Sequence, residues 1–354
     1  VPPRRKRRVD PALFELPVAR IRAGEFTDVY FNRARDALRT EGRAARVTWQ
    51  VSCKRGGWLG GVDEAVALLK LCSHDFPALD VQALYEGDRV EPWDTVMLVE
   101  GEYESFAHLE TLVLGTLARR TRVCTNVRTL VDAARPKPIH YFGARSDHAL
   151  LQPGDGLAAH VGGAASVTTD AQGTFTGRKG VGTIPHALIA AYGGDTVAAA
   201  LAVAKILPAD VPLIALVDYE NDSVKTSLAV ARALEGRLWG VRLDTSEFMV
   251  DRSVLPLMGI FPPTGVNPAL VWNVRNALDA EGFGEVKIVA SGGFTVQRIR
   301  AFEEEGVPVD AYGVGASVQD GRWDFTADVV RLNAQPQAKA GRELRPNARL
   351  EKVK

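Results

Sequence analysis

From residue 139 to 314 the chain repeats one rhythm: a short apolar run, a polar turn, then an amphipathic stretch of helical period. Strand-length runs fall at 139–144, 165–169, 180–183, 213–218, 238–244, 285–291 and 311–314. Helical stretches at 187–206, 224–234, 268–281 and 296–305 stand between most of them. Strands separated by helices this long cannot pair as hairpins; they form βα units, which in series make a parallel sheet. Seven such strands predict an α/β fold, an irregular (β/α) barrel, with a doubly wound open sheet as the other architecture the rhythm allows.

Ahead of this region the pattern is mixed. Strand-like stretches at 45–52 and 94–101 alternate with helical ones at 62–71 and 106–117, which reads as a small α+β domain. In Ala133-Ala134-Arg135-Pro136-Lys137-Pro138 two prolines remove donors and push the preceding residues towards extended backbone, so the boundary is placed there. The expected organisation is an N-terminal α+β domain at 1–134 and a catalytic barrel at 135–330. A polar tail at 331–354, rich in Arg, Lys and Pro, packs on and completes the first domain. A chain of 354 residues has room for one barrel and a smaller domain.

Composition removes several classes of function. Lys+Arg and Asp+Glu both number 43, so no net field draws the molecule to nucleic acid or an anionic membrane. No apolar run approaches a membrane span. The basic start, Val1-Pro2-Pro3-Arg4-Arg5-Lys6-Arg7-Arg8, has no apolar stretch behind it and reads as a solvated terminus, giving an expected cytoplasmic location. Cys53, Cys72 and Cys124 are scattered and odd in number, which excludes a disulfide framework and a structural zinc knuckle. The six histidines include no His-Glu-x-x-His pair.

Barrel active sites are built just after the strands, and polar residues gather there. The fourth expected strand ends in Asp218-Tyr219-Glu220 and the fifth in Arg242-Leu243-Asp244. Paired carboxylates at adjacent strand ends suit a magnesium ion shared with substrate phosphate, or positive charge developing on a sugar ring; helix N-caps are the other reading. The last two strands end in Ser291-Gly292-Gly293 and Gly313-Val314-Gly315, turns whose backbone N–H groups can hold a phosphate. Arg145, Arg178, Lys179 and His186 supply a cationic rim suited to polyphosphate.

Taken together the residues carry a resemblance. Thr27-Asp28-Val29-Tyr30, Phe142-Gly143-Ala144-Arg145, Gly182-Thr183-Ile184-Pro185-His186, Val217-Asp218, Val241-Arg242-Leu243-Asp244, Ala290-Ser291-Gly292-Gly293 and Tyr312-Gly313-Val314-Gly315 occur in this order. From about residue 25 to 318 the chain resembles the nicotinate phosphoribosyltransferases, which are type II phosphoribosyltransferases. The resemblance implies an enzyme of NAD salvage that joins nicotinate to phosphoribosyl pyrophosphate, yielding nicotinate mononucleotide and pyrophosphate. It further implies magnesium, ATP as an assisting co-substrate through a phosphorylated His186, and a homodimer or higher homo-oligomer with shared sites. On the same likeness Tyr30, from a partner subunit, and Phe142 sandwich the pyridine ring, and Arg145 and Arg242 contact phosphate or carboxylate. Asp218 and Asp244 serve the ribose and magnesium side, with Glu220 and Lys179 at the substrate rim, and the glycine turns take the 5′-phosphate.

The chain departs from the family pattern in two places. No cysteine follows Cys124, so the zinc-binding C-terminal module of some members is not expected. Around Gly163-Ala164-Ala165-Ser166-Val167-Thr168-Thr169-Asp170 the family pattern is replaced, and Thr168, Thr169 and Asp170 can each face the pyridine substituent. Hydroxyls with an arginine favour nicotinate, whereas an aspartate aimed at the ring would repel a carboxylate and favour nicotinamide. Quinolinate phosphoribosyl transfer and a non-catalytic nucleotide-binding relative are the remaining alternatives.

Overall fold

The computed structural model describes residues 7–354, which divide into two compact units. The first comprises the chain up to Asn126 together with Leu151–Gly162 and Asp320–Lys354. Its six-stranded antiparallel sheet runs in the order Gln335–Pro336, Phe325–Leu332, Arg46–Cys53, Thr95–Glu102, Asp80–Ala83, Glu351–Lys352. Trp49, Val51, Met97 and Val99 are buried from these strands, and the helix Val62–Cys72 belongs to the same core. That helix begins after Gly61, whose φ of 82° only glycine adopts without strain. The Glu86 carboxylate accepts from the N–H groups of Gly61 (3.0 Å) and Asp63 (2.9 Å), so a distant segment caps the helix start.

Seven of the eight residues of Arg46–Cys53 are buried, so this central strand does not show the alternation of a half-exposed one. The C-terminal segment explains part of this. Gln50 donates to Glu343 O and accepts from Arg345 N, and the Thr95 hydroxyl donates to Arg345 O, so buried polar side chains pin residues 343–345 on the sheet.

The second unit, Val127–Leu150 with Gly163–Gln319, holds a parallel sheet. Its order is Ser166–Val167, Ile139–Tyr141, Ala311–Val314, Lys287–Ala290, Leu238–Leu243, Leu213–Leu216. The helices Thr196–Ile206, Ser223–Leu234, Pro268–Ala280 and Val296–Glu304 start on side-chain caps from Asp195, Asp222, Asn267 and Thr295. The result is an α/β, barrel-like fold with six parallel strands. The seventh expected strand, 180–183, does not form: Val181 N donates to Val167 O (2.7 Å), but Gly180 and Gly182 supply no side chain to pack. The chain crosses between the units on the helix Glu110–Ala134. Residues 151–162 and 320–330, expected within the barrel region, group with the first unit. The cause is visible in two contacts: Phe325–Leu332 pairs with Arg46–Cys53, and Asp155 binds Arg119 and Arg120.

No helix among the described residues is long and apolar enough to cross a membrane. All three cysteines are buried and none forms a disulfide.

Candidate active site

Strand register assembles the site. Val289 lies opposite Arg242 and Ala290 opposite Leu243, which brings Ser291 beside Asp244. The Ser291 hydroxyl lies 2.7 Å from Asp244 Oδ1, and Arg242 Nε donates to it over 2.8 Å. The Arg242 guanidinium pairs with Asp244 Oδ2 (2.8 Å), donates to the Thr183 hydroxyl (3.1 Å) and lies over the Phe142 ring, 5.0 Å from its centroid. One guanidinium thus connects three strand ends and the loop that replaces the missing strand. Charge-assisted contacts of this kind fix orientation as well as charge.

Asp218 follows the strand Leu213–Leu216, and its side chain is 6% exposed. His186 opens the helix His186–Ala191 with Nε2 3.1 Å from Asp218 Oδ1. Burial raises the Asp218 pKa, His186 pulls it back and the Asp244 charge adds to the rise. An ionised Asp218 holds the imidazole proton on Nε2 and leaves the Nδ1 lone pair available. Neither carboxylate is a helix cap: Asp222 caps Ser223–Leu234 and Asp251 caps the short helix Arg252–Leu257. The capping alternative for Asp218 and Asp244 is therefore discarded.

A cavity of about 550 Å³ opens over these groups. Phe142, Arg145, Thr168, Thr169, His186, Arg242 and Asp244, all singled out in sequence, line it together with Thr183. Gly313 makes room for one wall. A Cβ there would come within 2.3 Å of the Phe142 ring, and one at Gly315 within 2.7 Å of the Phe142 carbonyl. The turn Gly313-Val314-Gly315 thus seats Phe142, with the Val314 side chain buried.

Gly292 and Gly293 have successive positive φ angles of 85° and 71°. Their carbonyls accept from Arg298 Nη1 at 2.7 and 3.3 Å, while their N–H groups have no acceptor among the described residues. Successive N–H groups without an acceptor at a glycine turn are the kind of donors that can hold an anion.

Arg178, expected on the cationic rim, donates to the carbonyls of Ala164 and Ala165 and does not line the cavity, and three further expected residues lie elsewhere. Lys179 pairs with Asp170 (3.2 Å), whose other oxygen accepts from Gly180 N, so both side chains close the 170–180 loop and neither lines the cavity. Glu220 lines a different depression with Lys225, 3.7 Å away. Tyr30 belongs to the first unit, exposed in the first turn of Val29–Thr40, with its hydroxyl 3.5 Å from Asp28. Sequence reasoning missed Thr183 and Arg298. Thr183 sits inside a motif that had drawn notice for His186, whereas Arg298 carried no local signal.

A sequence profile described as the quinolinate phosphoribosyl transferase N-terminal domain matches residues 28–121. A crystal structure of nicotinate-nucleotide pyrophosphorylase from Pyrococcus furiosus superposes with a TM-score of 0.80 at 32% identity, covering 93% of this chain and 80% of that one. The chain belongs to the type II phosphoribosyltransferases. A family nicotinate phosphoribosyltransferase of Mycobacterium tuberculosis is 29% identical over 71% of this chain and 52% of its own length. The chain therefore spans about half the length of the curated relatives it matches. The human nicotinic acid phosphoribosyltransferase structure, at 18% identity and a TM-score of 0.66, covers 88% of this chain and 76% of that one and shares the fold.

Proposed function

We propose that the protein is a nicotinate phosphoribosyltransferase, joining nicotinate to phosphoribosyl pyrophosphate to give nicotinate mononucleotide and pyrophosphate. The observation that carries this reading is the single cavity holding Phe142, Arg242, Asp244 and His186, in a member of this family. The Pyrococcus relative is named for the same nucleotide and for pyrophosphate.

The pyridine nitrogen attacks the anomeric carbon with its lone pair, the bond from that carbon to pyrophosphate breaks, and pyrophosphate leaves with the electrons. No proton moves, so no strong base is needed and positioning dominates. Asp244, and Asp218 behind His186, place negative charge beside the cation-like sugar of the transition state. Phe142 offers the ring an apolar wall, and Arg145 and Arg242 offer its carboxylate guanidinium donors.

Among the described residues no group of three His, Cys, Asp or Glu side chains could hold a metal ion. Asp218 and Asp244 fit a magnesium ion only as two carboxylates completed by substrate oxygens and water, the pattern that ion commonly adopts. Magnesium bound there would neutralise the leaving group. ATP would assist by phosphorylating His186 at Nδ1, with ADP leaving. A homodimer in which Tyr30 reaches a partner's pyridine site accounts for an exposed tyrosine beside the exposed Phe26 and Val29.

Two observations bear on the choice of pyridine. Asp170, the residue that would repel a carboxylate, is turned onto Lys179, while Thr168 and Thr169 line the cavity. Quinolinate is the second reading, favoured by the profile match to residues 28–121, but its extra carboxylate calls for more cations than Lys179 leaves in the pocket. The test is an assay with phosphoribosyl pyrophosphate, magnesium and each of nicotinate, nicotinamide and quinolinate, with and without ATP, the mononucleotides being separated by chromatography. Product from nicotinate alone is expected. Product from quinolinate alone transfers the assignment to that substrate, and no product from any leaves a nucleotide-binding relative.

A further inference from the structure

Arg298 stands in an electrostatically unfavourable place. It occupies the third position of the helix Val296–Glu304, where the positive end of the helix dipole repels a cation. It is half-buried, and it carries no ion pair within 4.0 Å among the described residues; the Glu247 charge reaches it only at longer range. All its close polar contacts are neutral: the carbonyls of Gly292, Gly293 and, through Nη2, Val266. The Phe294 ring covers it, 4.4 Å from the guanidinium carbon to the centroid. A half-buried cation satisfied only by neutral oxygens leaves a local charge uncompensated.

The three carbonyls give that charge a use. In a trans peptide the N–H lies opposite the preceding carbonyl, so by taking the carbonyls of Gly292 and Gly293 Arg298 fixes the two peptide planes that carry the N–H groups of Gly293 and Phe294 and turns both away from itself. Gly292 packs on the Asp244–Thr245 backbone, where an added Cβ would lie 3.4 Å from Thr245 O, so the turn that carries these N–H groups lies against the main chain of the candidate catalytic Asp244. Through Val266 the same guanidinium ties in the loop that follows the Asp244 strand.

We propose that Arg298 is a positioning residue for phosphate: it presets the Gly293–Phe294 N–H pair for a phosphate monoester and places a fixed positive charge behind it, without touching the ligand. The inference rests on the phosphoribosyltransferase reading, the monoester being the substrate's 5′-phosphate.

The test uses Arg298→Met, Arg298→Lys and Gly293→Ala in the full chain, with circular dichroism as the check on folding. Inorganic phosphate binding is titrated by phosphorus NMR without pyridine, and KM is measured for each substrate. In Arg298→Met the KM for phosphoribosyl pyrophosphate should rise about tenfold or more and phosphate binding weaken in parallel, as expected when a charge and its oriented N–H donors are lost, while the KM for the pyridine stays unchanged. Arg298→Lys keeps the charge without the three-carbonyl clamp and should fall between. Gly293→Ala adds a Cβ with 3.7 Å to its nearest neighbour but strains a backbone at φ 71°, and should reproduce the phosphate defect if Arg298→Met does not fold. Unchanged phosphate binding and phosphoribosyl pyrophosphate KM in a folded Arg298→Met or, failing that, in Gly293→Ala overturns the proposal. So does an equal loss for both substrates, which marks a merely structural residue. Absence of turnover in the wild-type protein counts against the enzymatic reading alone, because the phosphate titration still decides the role of Arg298.

Discussion

At the scale of single residues, Asp244 and His186 occupy the same cavity but are expected to fail differently. Asp244→Ala removes charge that matters chiefly once the sugar turns cationic, so turnover should fall by about 100-fold or more while the KM for nicotinate changes little; equal effects on both constants would refute the role. His186→Ala should abolish ATP stimulation and spare the basal reaction, as read by mononucleotide formed with and without ATP. Two groups in the first unit contribute opposite pH dependences. Burial pushes the fully buried His108 imidazole down to about 4, so between pH 6.5 and 4 the unfolded chain binds the extra proton and stability falls with falling pH, by roughly 3 kcal/mol in all. Burial, with Asp328 and Asp28 adding, lifts Glu110 to about 7 against the Trp49 hydrogen bond; its folded form holds the extra proton from about pH 4.5 to 7, and stability rises as pH falls through that window. The two oppose each other. Glu110→Gln should therefore show a steeper loss of urea midpoint between pH 6.5 and 4.5 than the wild type.

Among the elements, the strand Ala311–Val314 shows how a backbone feature shapes chemistry. Gly313→Ala would drive a methyl into the Phe142 ring, so the ring must swing towards the cavity; the KM for the pyridine should rise about tenfold with about 1–3 kcal/mol lost in stability, measured by steady-state kinetics and urea unfolding. From sequence this glycine reads as a phosphate turn, because spacing shows that a side chain is absent but not what fills the room. The parallel strands were legible for a plain reason: runs such as Leu213–Leu216 are apolar on every residue, as strands buried on both faces must be. Residues 180–183 imitated that signal with Val181 and Thr183 but lacked the packing to become a strand. Asp218 and Asp244 were legible because strand ends are recognisable. Arg298 was not, since its partners lie in two separate turns, at Gly292–Gly293 and at Val266, and nothing in its neighbours marks it. Glu220 was misplaced by the opposite error, adjacency to Asp218 being mistaken for a shared direction.

For the molecule as a whole, the short helix Gln152–Gly162 matters more than its length suggests. It returns to the first unit between two stretches of the second and delivers Asp155, 4% exposed, to Arg119 (2.7 Å) and Arg120 (2.5 Å), with Glu64 completing the network 2.9 Å from Arg120. Asp155→Ala removes the buried carboxylate that Arg119 and Arg120 share, leaving Glu64 alone to offset Arg120, and should cost about 3 kcal/mol, read from the urea midpoint; a loss under about 1 kcal/mol would mean that Glu64 and water make good the loss. The interleaving also bears on the order in which the chain acquires structure. Phe325–Leu332 lies beside Arg46–Cys53, and Val353 enters the core of the first unit, so that core lacks parts until Val353 emerges from the ribosome. The second unit has all its residues once Gln319 is made. During synthesis, the half that starts later is the half that can finish first, and the earlier residues must wait, unpaired, for their partners.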